Sequence, residues 1–261
     1  MDQTKTIWNA MAEDYEDFTA RPDSYSEAIE VPCVKALLPP LEGARALDLG
    51  CGTGRFTFLM ADLGAGEVLG LDLSERMLAL AEAKRPVGST VRFRHGSILD
   101  LEGLTPESFD VVFSSTTLHY VDELRSALSG LARVLKPGGR AVLSVMHPIY
   151  TASYPLDPDA EWTLRYLDRS RRRYLQPWTR FGDSTEKVVC ESAHHTLGDY
   201  VTSILEAGLR LTALREPEPP ESWREAQLYR WGATRNEPLY AVFACEKPRE
   251  TETPASPERD R

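Results

Sequence analysis

Three glycines at every second position, Gly50, Gly52 and Gly54, follow a short apolar run, ARALDL, at residues 44–49. Glycine adopts left-handed backbone without strain, so this spacing marks a sharp turn. Directly behind it Phe56, Leu59, Met60 and Leu63 are spaced as one face of a helix. The stretch reads strand, tight turn, helix. A chain that opens such a unit and repeats it is committed to a parallel sheet, because parallel strands must be joined by long crossovers, usually helices.

The alternation does repeat. Residues 67–71 predict a second strand, and Ser74 caps a helix carrying Met77, Leu78 and Ala81. Residues 91–94 are a third strand and residues 109–113 (FDVVF) a β-branched fourth. Asp122 is placed to cap a helix with Leu124, Ala127, Leu128, Leu131, Val134 and Leu135 on one face, stopped by Pro137-Gly138-Gly139. Residues 140–145 are a fifth strand. Residues 1–40 read as helical, broken by Pro22, Pro32 and Pro39-Pro40. At 148–193 the periodicity is lost among aromatics, prolines and arginines, which predicts an inserted cap. Thr196 and Asp199 then have capping-box spacing, opening a helix that runs to Gly208. Strands at 209–214 and 239–245 follow and are expected to pair antiparallel at a sheet edge. The expected fold is α/β, a doubly wound, mostly parallel seven-stranded sheet with a cap inserted after the fifth strand. The expected parts are an N-terminal helical segment (1–40), a core (41–147), the cap (148–193), the rest of the core (194–247) and a disordered tail (248–261).

Forty acidic residues stand against thirty basic ones, a net charge of −10. A general nucleic-acid binder needs a basic face, so this balance argues against one. No apolar run approaches the roughly 20 residues that span a bilayer. The N-terminal stretch, MDQTKTIWNAMAEDYEDF, has no apolar core of a secretory signal. The four cysteines are scattered without C-x-x-C spacing, so neither a disulfide framework nor a metal site is expected, and a cytoplasmic protein fits.

The turn itself, LDLGCGTGRF, discriminates between ligands. A dinucleotide fingerprint needs G-x-G-x-x-G, but its third position falls here on Arg55. No Gly-Lys-Ser/Thr follows, so it is not a P-loop. Asp48, just ahead of the glycines, would repel a pyrophosphate and suit a cationic amino group. Asp72 ends the second strand, where a carboxylate accepts hydrogen bonds from ribose hydroxyls. The implied ligand has a ribose and a cationic, amino-acid-like tail; S-adenosylmethionine has both.

With LDLGCGTGRF come LDLSERML, SFDVVFSSTTLHYVDE and ARVLKPGGRAVLSV, in that order. Together they resemble the ordered motifs of class I S-adenosylmethionine-dependent methyltransferases. The layout is most similar to the small-molecule methyltransferases related to the ubiquinone/menaquinone C-methyltransferases. The resemblance covers residues 41–147 well and the insertion not at all. It implies a Rossmann-like methyltransferase fold with S-adenosylmethionine as cofactor. It also implies positions. Gly50, Cys51 and Gly52 cradle the methionine part, with Asp48 close by. Asp72 binds the ribose, and Leu73 and Met77 pack on the adenine. Ser97 and Ile98 lie at the adenine edge, although the family often has an acidic residue where Ser97 stands. Ser114 and Ser115 face the methionine amine and the transferring methyl. Tyr15 closes over the cofactor, residues 1–40 form a lid, and the cap lies on the acceptor side.

Of five histidines, His119 follows the fourth strand, His147 ends the fifth and His195 precedes a late helix, so these three are the candidate general bases. The segment RYLDRSRRRY, residues 165–174, holds five arginines and reads either as a solvated face or as an anion-recruiting cap. Trp162, Tyr166, Tyr174, Trp178 and Phe181 nearby suit an aromatic acceptor or form the cap's own small core. The expected activity is methyl transfer to a small molecule, aromatic or anionic, of natural-product or secondary metabolism, by a monomer or homodimer. Two alternatives stay open: an RNA (tRNA) methyltransferase using the arginines as a phosphate patch, and a protein that binds S-adenosylmethionine without methylating.

Overall fold

The computed structural model describes residues 3–156, 163–175 and 188–249. Helices α1 (Gln3–Ala10) and α2 (Ala12–Thr19) lead to a wide π-helical turn, Ser26–Glu30, which passes directly into α3 (Val31–Leu37). Pro32 therefore does not break a helix. It occupies the start of α3, where its missing N–H is tolerated. The βα alternation then runs β1 (Arg45–Leu49), α4 (Arg55–Asp62), β2 (Glu67–Asp72), α5 (Glu75–Lys84), β3 (Val91–His95), β4 (Phe109–Ser115), α6 (Leu124–Val134) and β5 (Leu135–Met146). The insertion contributes α7 (Pro148–Ala152) and an antiparallel pair, β6 (Arg172–Leu175) and β7 (Val189–Ser192). After it come α8 (Leu197–Glu206), β8 (Arg210–Arg215), the short α9 (Trp223–Ala226) and α10 (Leu228–Thr234), and β9 (Tyr240–Glu246).

Seven strands form one sheet in the order β3-β2-β1-β4-β5-β9-β8. The first five are parallel, and β9 runs antiparallel to both β5 and β8. The central strands are buried on both faces, as a doubly covered parallel sheet requires. Leu47, Leu49, Val112 and Leu143 face the core made by α6 and α8. Ala46, Val111, Phe113 and Val142 face the core with Val31, Val34, Phe56 and Met60 of α3 and α4. Strand order reverses between β1 and β4, and ligands of open α/β sheets bind beyond the strand ends at such a switch point.

Several local expectations hold. Ser74 Oγ accepts the Met77 N–H at 3.1 Å and starts α5. Thr196 and Asp199 form a full capping box on α8. Others need correction. Leu63 is 42% exposed and lies past the end of α4. Asp122 does not cap α6; the helix follows Glu123 with no side-chain cap bond, and Asp122 is drawn to Arg171 instead. Pro137-Gly138-Gly139 does not stop that helix. Leu135 already pairs with Phe109 in the sheet, and the Pro-Gly-Gly run forms an irregularity within β5 before Arg140 pairs with Val111. Gly138 donates to Lys247 O at 2.7 Å, and Lys247 donates back to Gly139 O at 2.9 Å, so the run is tied to the end of β9.

The N-terminal helices and the insertion share a small core of their own: Met11, Tyr154, Tyr174 and Cys190. Polar bonds pin the same helices to α5. Asn9 Oδ1 accepts from Ser74 Oγ at 2.7 Å and from Arg76 N at 3.1 Å, and Lys84 pairs with Glu16 at 2.6 Å. Trp162, Trp178, Phe181 and the tail beyond Arg249 lie outside the described residues. Among the described residues no helix is long and apolar enough to cross a membrane.

Candidate active site

A cleft of about 480 Å³ opens where β1, β2 and β4 end, roofed by α1 and α2 and flanked by β7. Its size suits a small-molecule site. The glycine turn forms its floor. Gly50, at φ +75°, can only be glycine: a Cβ there would lie 2.0 Å from Thr117 Oγ1. Gly52, at φ +53°, faces the Tyr15 ring, which lies 3.7 Å from where a Cβ would be. Gly54 serves packing instead, since a Cβ there would strike the Phe58 and Phe93 rings at 2.9 Å.

Four amides of the turn, those of residues 50–52 and 54, are already committed. Gly50 and Cys51 both donate to Leu71 O, at 2.7 and 3.0 Å, Gly54 donates to Cys51 O at 2.9 Å, and Gly52 donates to Asp72 Oδ2 at 2.8 Å. A phosphate cradle needs such N–H groups free. These are turned away, so the floor is unsuited to a pyrophosphate. Arg55, at the position where a dinucleotide fingerprint would have its last glycine, points away from the cleft and binds Glu27 Oε1 at 3.0 Å and Ser26 Oγ on the wide turn.

Of the residues expected around a cofactor, Tyr15, Gly50, Gly52, Asp72, Leu73, Met77, Ser97, Ile98 and Ser115 all line the cleft. Asp72 accepts from Gly52 N and, through Oδ1, from Ser74 N at 2.8 Å. Burial pushes its carboxyl pKa up and these backbone donors oppose the shift. Asp48, Cys51 and Ser114 do not line the cleft. Asp48 lies beneath the turn, 1% exposed, with Thr57 Oγ1 donating to it at 2.6 Å. Burial raises its pKa to about 7. Cys51 packs its sulfur under the turn, and burial drives its thiol pKa well up. Ser114 donates to Leu49 O at 2.8 Å and staples β4 to β1.

The candidate histidine bases are placed away from the cleft. His147 caps α7: its Nδ1 accepts from Ile149 N at 3.0 Å and its Nε2 donates to Glu216 Oε1 at 2.7 Å. His119 is 2% exposed, stacked at 4.2 Å beside Tyr120, and burial lowers its pKa to about 3. His195 donates through Nε2 to Val121 O at 2.7 Å and lines a separate surface recess next to α8. His119 and His147 do follow β4 and β5, but their side chains turn into the protein.

The rest of the wall joins Arg171 of the expected cap segment to residues that carried no sequence signal, among them Trp8, Thr116 and Glu191. Trp8 meets Tyr15 and Tyr120 edge-on, at 5.5 and 5.3 Å, making an aromatic side. Thr116 turns the chain after β4 at φ +48°, a strained position for a β-branched residue and one often found at functional sites. Arg171, Asp122 and Glu191 close the outer end. Three arginines of the segment pair with carboxylates: Arg171 with Asp122 and Glu191, Arg173 with Glu191 at 3.0 Å, Arg169 with Asp199 at 3.1 Å; Arg165 donates to Thr163 O. Arg172 is fully buried and donates to the carbonyls of Ser170, Arg165 and Asp168.

A family model described as a methyltransferase domain matches residues 47–143. An uncharacterized protein of Haemophilus influenzae is 32% identical over 78% of this chain and 82% of its own length. A ubiquinone biosynthesis O-methyltransferase of Methylococcus capsulatus is 34% identical over 54% of this chain, which spans 63% of that enzyme. The crystal structure of an S-adenosylmethionine-dependent methyltransferase from Mesorhizobium loti is 31% identical, with a TM-score of 0.68 over 83% of this chain and 97% of its own. Fold, cleft and relatives agree: the chain belongs to the class I S-adenosylmethionine-dependent methyltransferases. S-adenosylmethionine is thus its cofactor, and the cleft fits it, with committed turn amides, a carboxylate at the end of β2 and no phosphate cradle.

Proposed function

We propose that this methyltransferase acts on a neutral or cationic small molecule with an aromatic or apolar body, one of secondary metabolism, bound between α1 and the β6–β7 pair. S-adenosylmethionine supplies a methyl group on a positively charged sulfur. The chain's residues divide the cleft between the two molecules. Asp72 takes the ribose hydroxyls, Leu73, Met77, Ser97 and Ile98 the adenine, and Ser115 with the Gly50–Gly52 floor the methionine end. Tyr15 covers that floor. Trp8 and Tyr120 offer the acceptor an aromatic wall, which a ring stacks against.

The observation that carries the acceptor's charge is at the outer end. Asp122, Glu123 and Glu191 line it against the single guanidinium of Arg171, among the described residues. That surplus is acidic, and among the described residues Arg169, Arg171 and Arg173 are each paired with carboxylates, which disfavours an anionic acceptor at this end. The same pairing of Arg169, Arg171 and Arg173 disfavours a phosphate patch for RNA in this segment. With His119, His147 and His195 all outside the cleft lining, rate enhancement rests on alignment and water exclusion more than on a histidine base. The test is an acceptor panel of phenols, amines, carboxylic acids and phosphate esters, followed by release of S-adenosylhomocysteine. Turnover confined to carboxylates or phosphates would reject the charge assignment. Tight cofactor binding with no turnover anywhere would favour a binding protein.

A further inference from the structure

Glu30 has no exposed surface, yet its carboxylate sits directly behind the cleft wall. Ser115 Oγ donates to its Oε1 at 2.5 Å, Ser26 Oγ donates to its Oε2, and Arg55 Nη2 lies 3.5 Å from Oε2. The wide turn sets this up: Val31 N–H reaches back to Ser26 O, one residue further than in an α-helix, which places Ser26 and Glu30 side by side. Wide turns of this kind are rare and concentrate at functional sites.

A serine hydroxyl has one proton. That of Ser115 is given to Glu30, so Ser115 shows the cleft lone pairs only. Its surroundings follow the same pattern. Gly50, Cys51 and Gly52 have spent their amides, and Thr117 Oγ1 gives its proton to Ser115 O at 2.9 Å. The cluster behind holds two carboxylates, Glu27 and Glu30, against the one guanidinium of Arg55. This corner of the cleft accepts hydrogen bonds, offers few, and has anionic backing.

We infer that Glu30 is a positioning residue: by holding the Ser115 proton, it fixes that hydroxyl as an acceptor for the ammonium group of the cofactor's amino-acid tail. The inference rests on the cofactor reading above. It also accounts for Arg55 in place of the last fingerprint glycine. Its guanidinium holds the wide turn, and so Glu30, against the strand ends. A hydroxyl already donating to a carboxylate is a stronger acceptor than a free one.

The test is calorimetry on the full chain with three ligands: S-adenosylmethionine, S-adenosylhomocysteine and 5′-methylthioadenosine, which has the adenosine but no amino-acid tail. In Glu30→Gln one accepting oxygen becomes an NH₂; with Ser26 and Arg55 both donating on the Oε2 side, the remaining oxygen belongs there, so the NH₂ faces Ser115 and frees its proton to point into the cleft. Affinity for both tailed ligands should fall roughly 10- to 100-fold, as for a lost hydrogen bond to a charged group. Affinity for methylthioadenosine should hold. The Glu30→Gln/Ser115→Ala double variant should bind the tailed ligands no more weakly than Ser115→Ala alone. If Glu30→Gln does not fold, Ser115→Ala, which leaves the Glu30, Ser26 and Arg55 contacts in place, must still show the selective loss. Unchanged binding of S-adenosylmethionine in a folded variant, or a parallel loss of methylthioadenosine, would overturn the inference. Failure of the unaltered protein to bind any of the three would instead overturn the cofactor reading beneath it.

Discussion

Asp72, at the end of β2, accepts the amide proton of Gly52, in the turn after β1, at 2.8 Å. Its other oxygen accepts from Ser74 N at the start of α5, also at 2.8 Å. One carboxylate therefore ties together the floor of the cleft and the helix beside it. Each oxygen keeps a lone pair for a ligand.

Replacing this group should cost both binding and turn geometry. Asp72→Asn puts an NH₂ against one of two backbone N–H groups, donor facing donor. Asp72→Ala removes both anchors. Cofactor affinity should drop by roughly 1.5–3 kcal/mol in Asp72→Ala, the range for hydrogen bonds to charged groups. Asp72→Asn should melt lower than the parent even without ligand. Calorimetry and thermal melts check this, and an Asp72→Ala protein that binds as the parent does would refute it.

Two buried groups should bend the pH dependence of stability in opposite directions. Asp48 has its pKa raised to about 7 by burial, far above the ordinary carboxylate value. Its contribution is full at low pH, below about 4, and is lost as pH rises through 7. Asp48→Asn keeps an acceptor for Thr57 and removes the charge, so it should gain roughly 1–4 kcal/mol over the parent at pH 8 and little at pH 4. His119 has its pKa lowered to about 3, by burial first and by His195 second. Its contribution is present above about 6.5 and is lost as pH falls toward 3. His119→Leu should flatten the acid limb. Urea denaturation across pH 4 to 8, compared by slope and not by absolute stability, separates the two. Parallel slopes in parent and variants would reject both assignments.

What the sequence shows and what it hides divide along range of interaction. The seven strands of the main sheet are legible because apolar runs flanked by glycines and caps are local signals, whereas β6 and β7, in the segment without periodicity, are not. The Thr196–Asp199 box was legible for the same reason, since both partners lie within one turn. Asp122 has the residue type and place of a helix cap, but its partner Arg171 comes from the distant insertion and takes it away. Pro137-Gly138-Gly139 looks like a helix stop until Lys247, at the far end of the chain, binds it. Glu30 gave no signal at all, because nothing in its neighbourhood foretells a wide turn or the approach of Ser115. His119 and His147 follow strands β4 and β5 and His195 precedes α8, as their places in the sequence imply. Which way the His147 and His195 rings turn is decided by Glu216 and Val121, neither of them near in sequence.

The arginine segment contains two kinds of arginine that look alike on paper. Arg172 is fully buried and donates to three backbone carbonyls, at 2.8, 2.9 and 2.7 Å. Arg173 is half exposed and pairs with Glu191. Arg172→Ala strands those carbonyls and should cost roughly 2–4 kcal/mol. Arg173→Ala should cost under about 1 kcal/mol, and salt should screen most of that. Thermal melts at low and high salt provide the comparison. Equal costs for the two variants would mean the buried guanidinium holds nothing that water could not replace.

His147 supports a helix and is not expected to move a proton. Its Nδ1 must be unprotonated to accept from Ile149 N, while its Nε2 donates to Glu216. Burial lowers its pKa, with Glu216 opposing, so the neutral ring is the folded form. The stability it adds is therefore present above about pH 6.5 and is lost as pH falls below that. His147→Ala should lower stability by about 1 kcal/mol, the usual cost of a lost cap. His147→Asn, whose side-chain oxygen can take the Ile149 proton, should recover most of it. Neither should change kcat much, since the ring does not line the cleft. A general base typically accounts for about 10²–10⁴ in rate. If His147→Ala and His147→Asn both lost that much turnover at unchanged cofactor affinity, the ring would have to swing out of its cap into the cleft during the reaction.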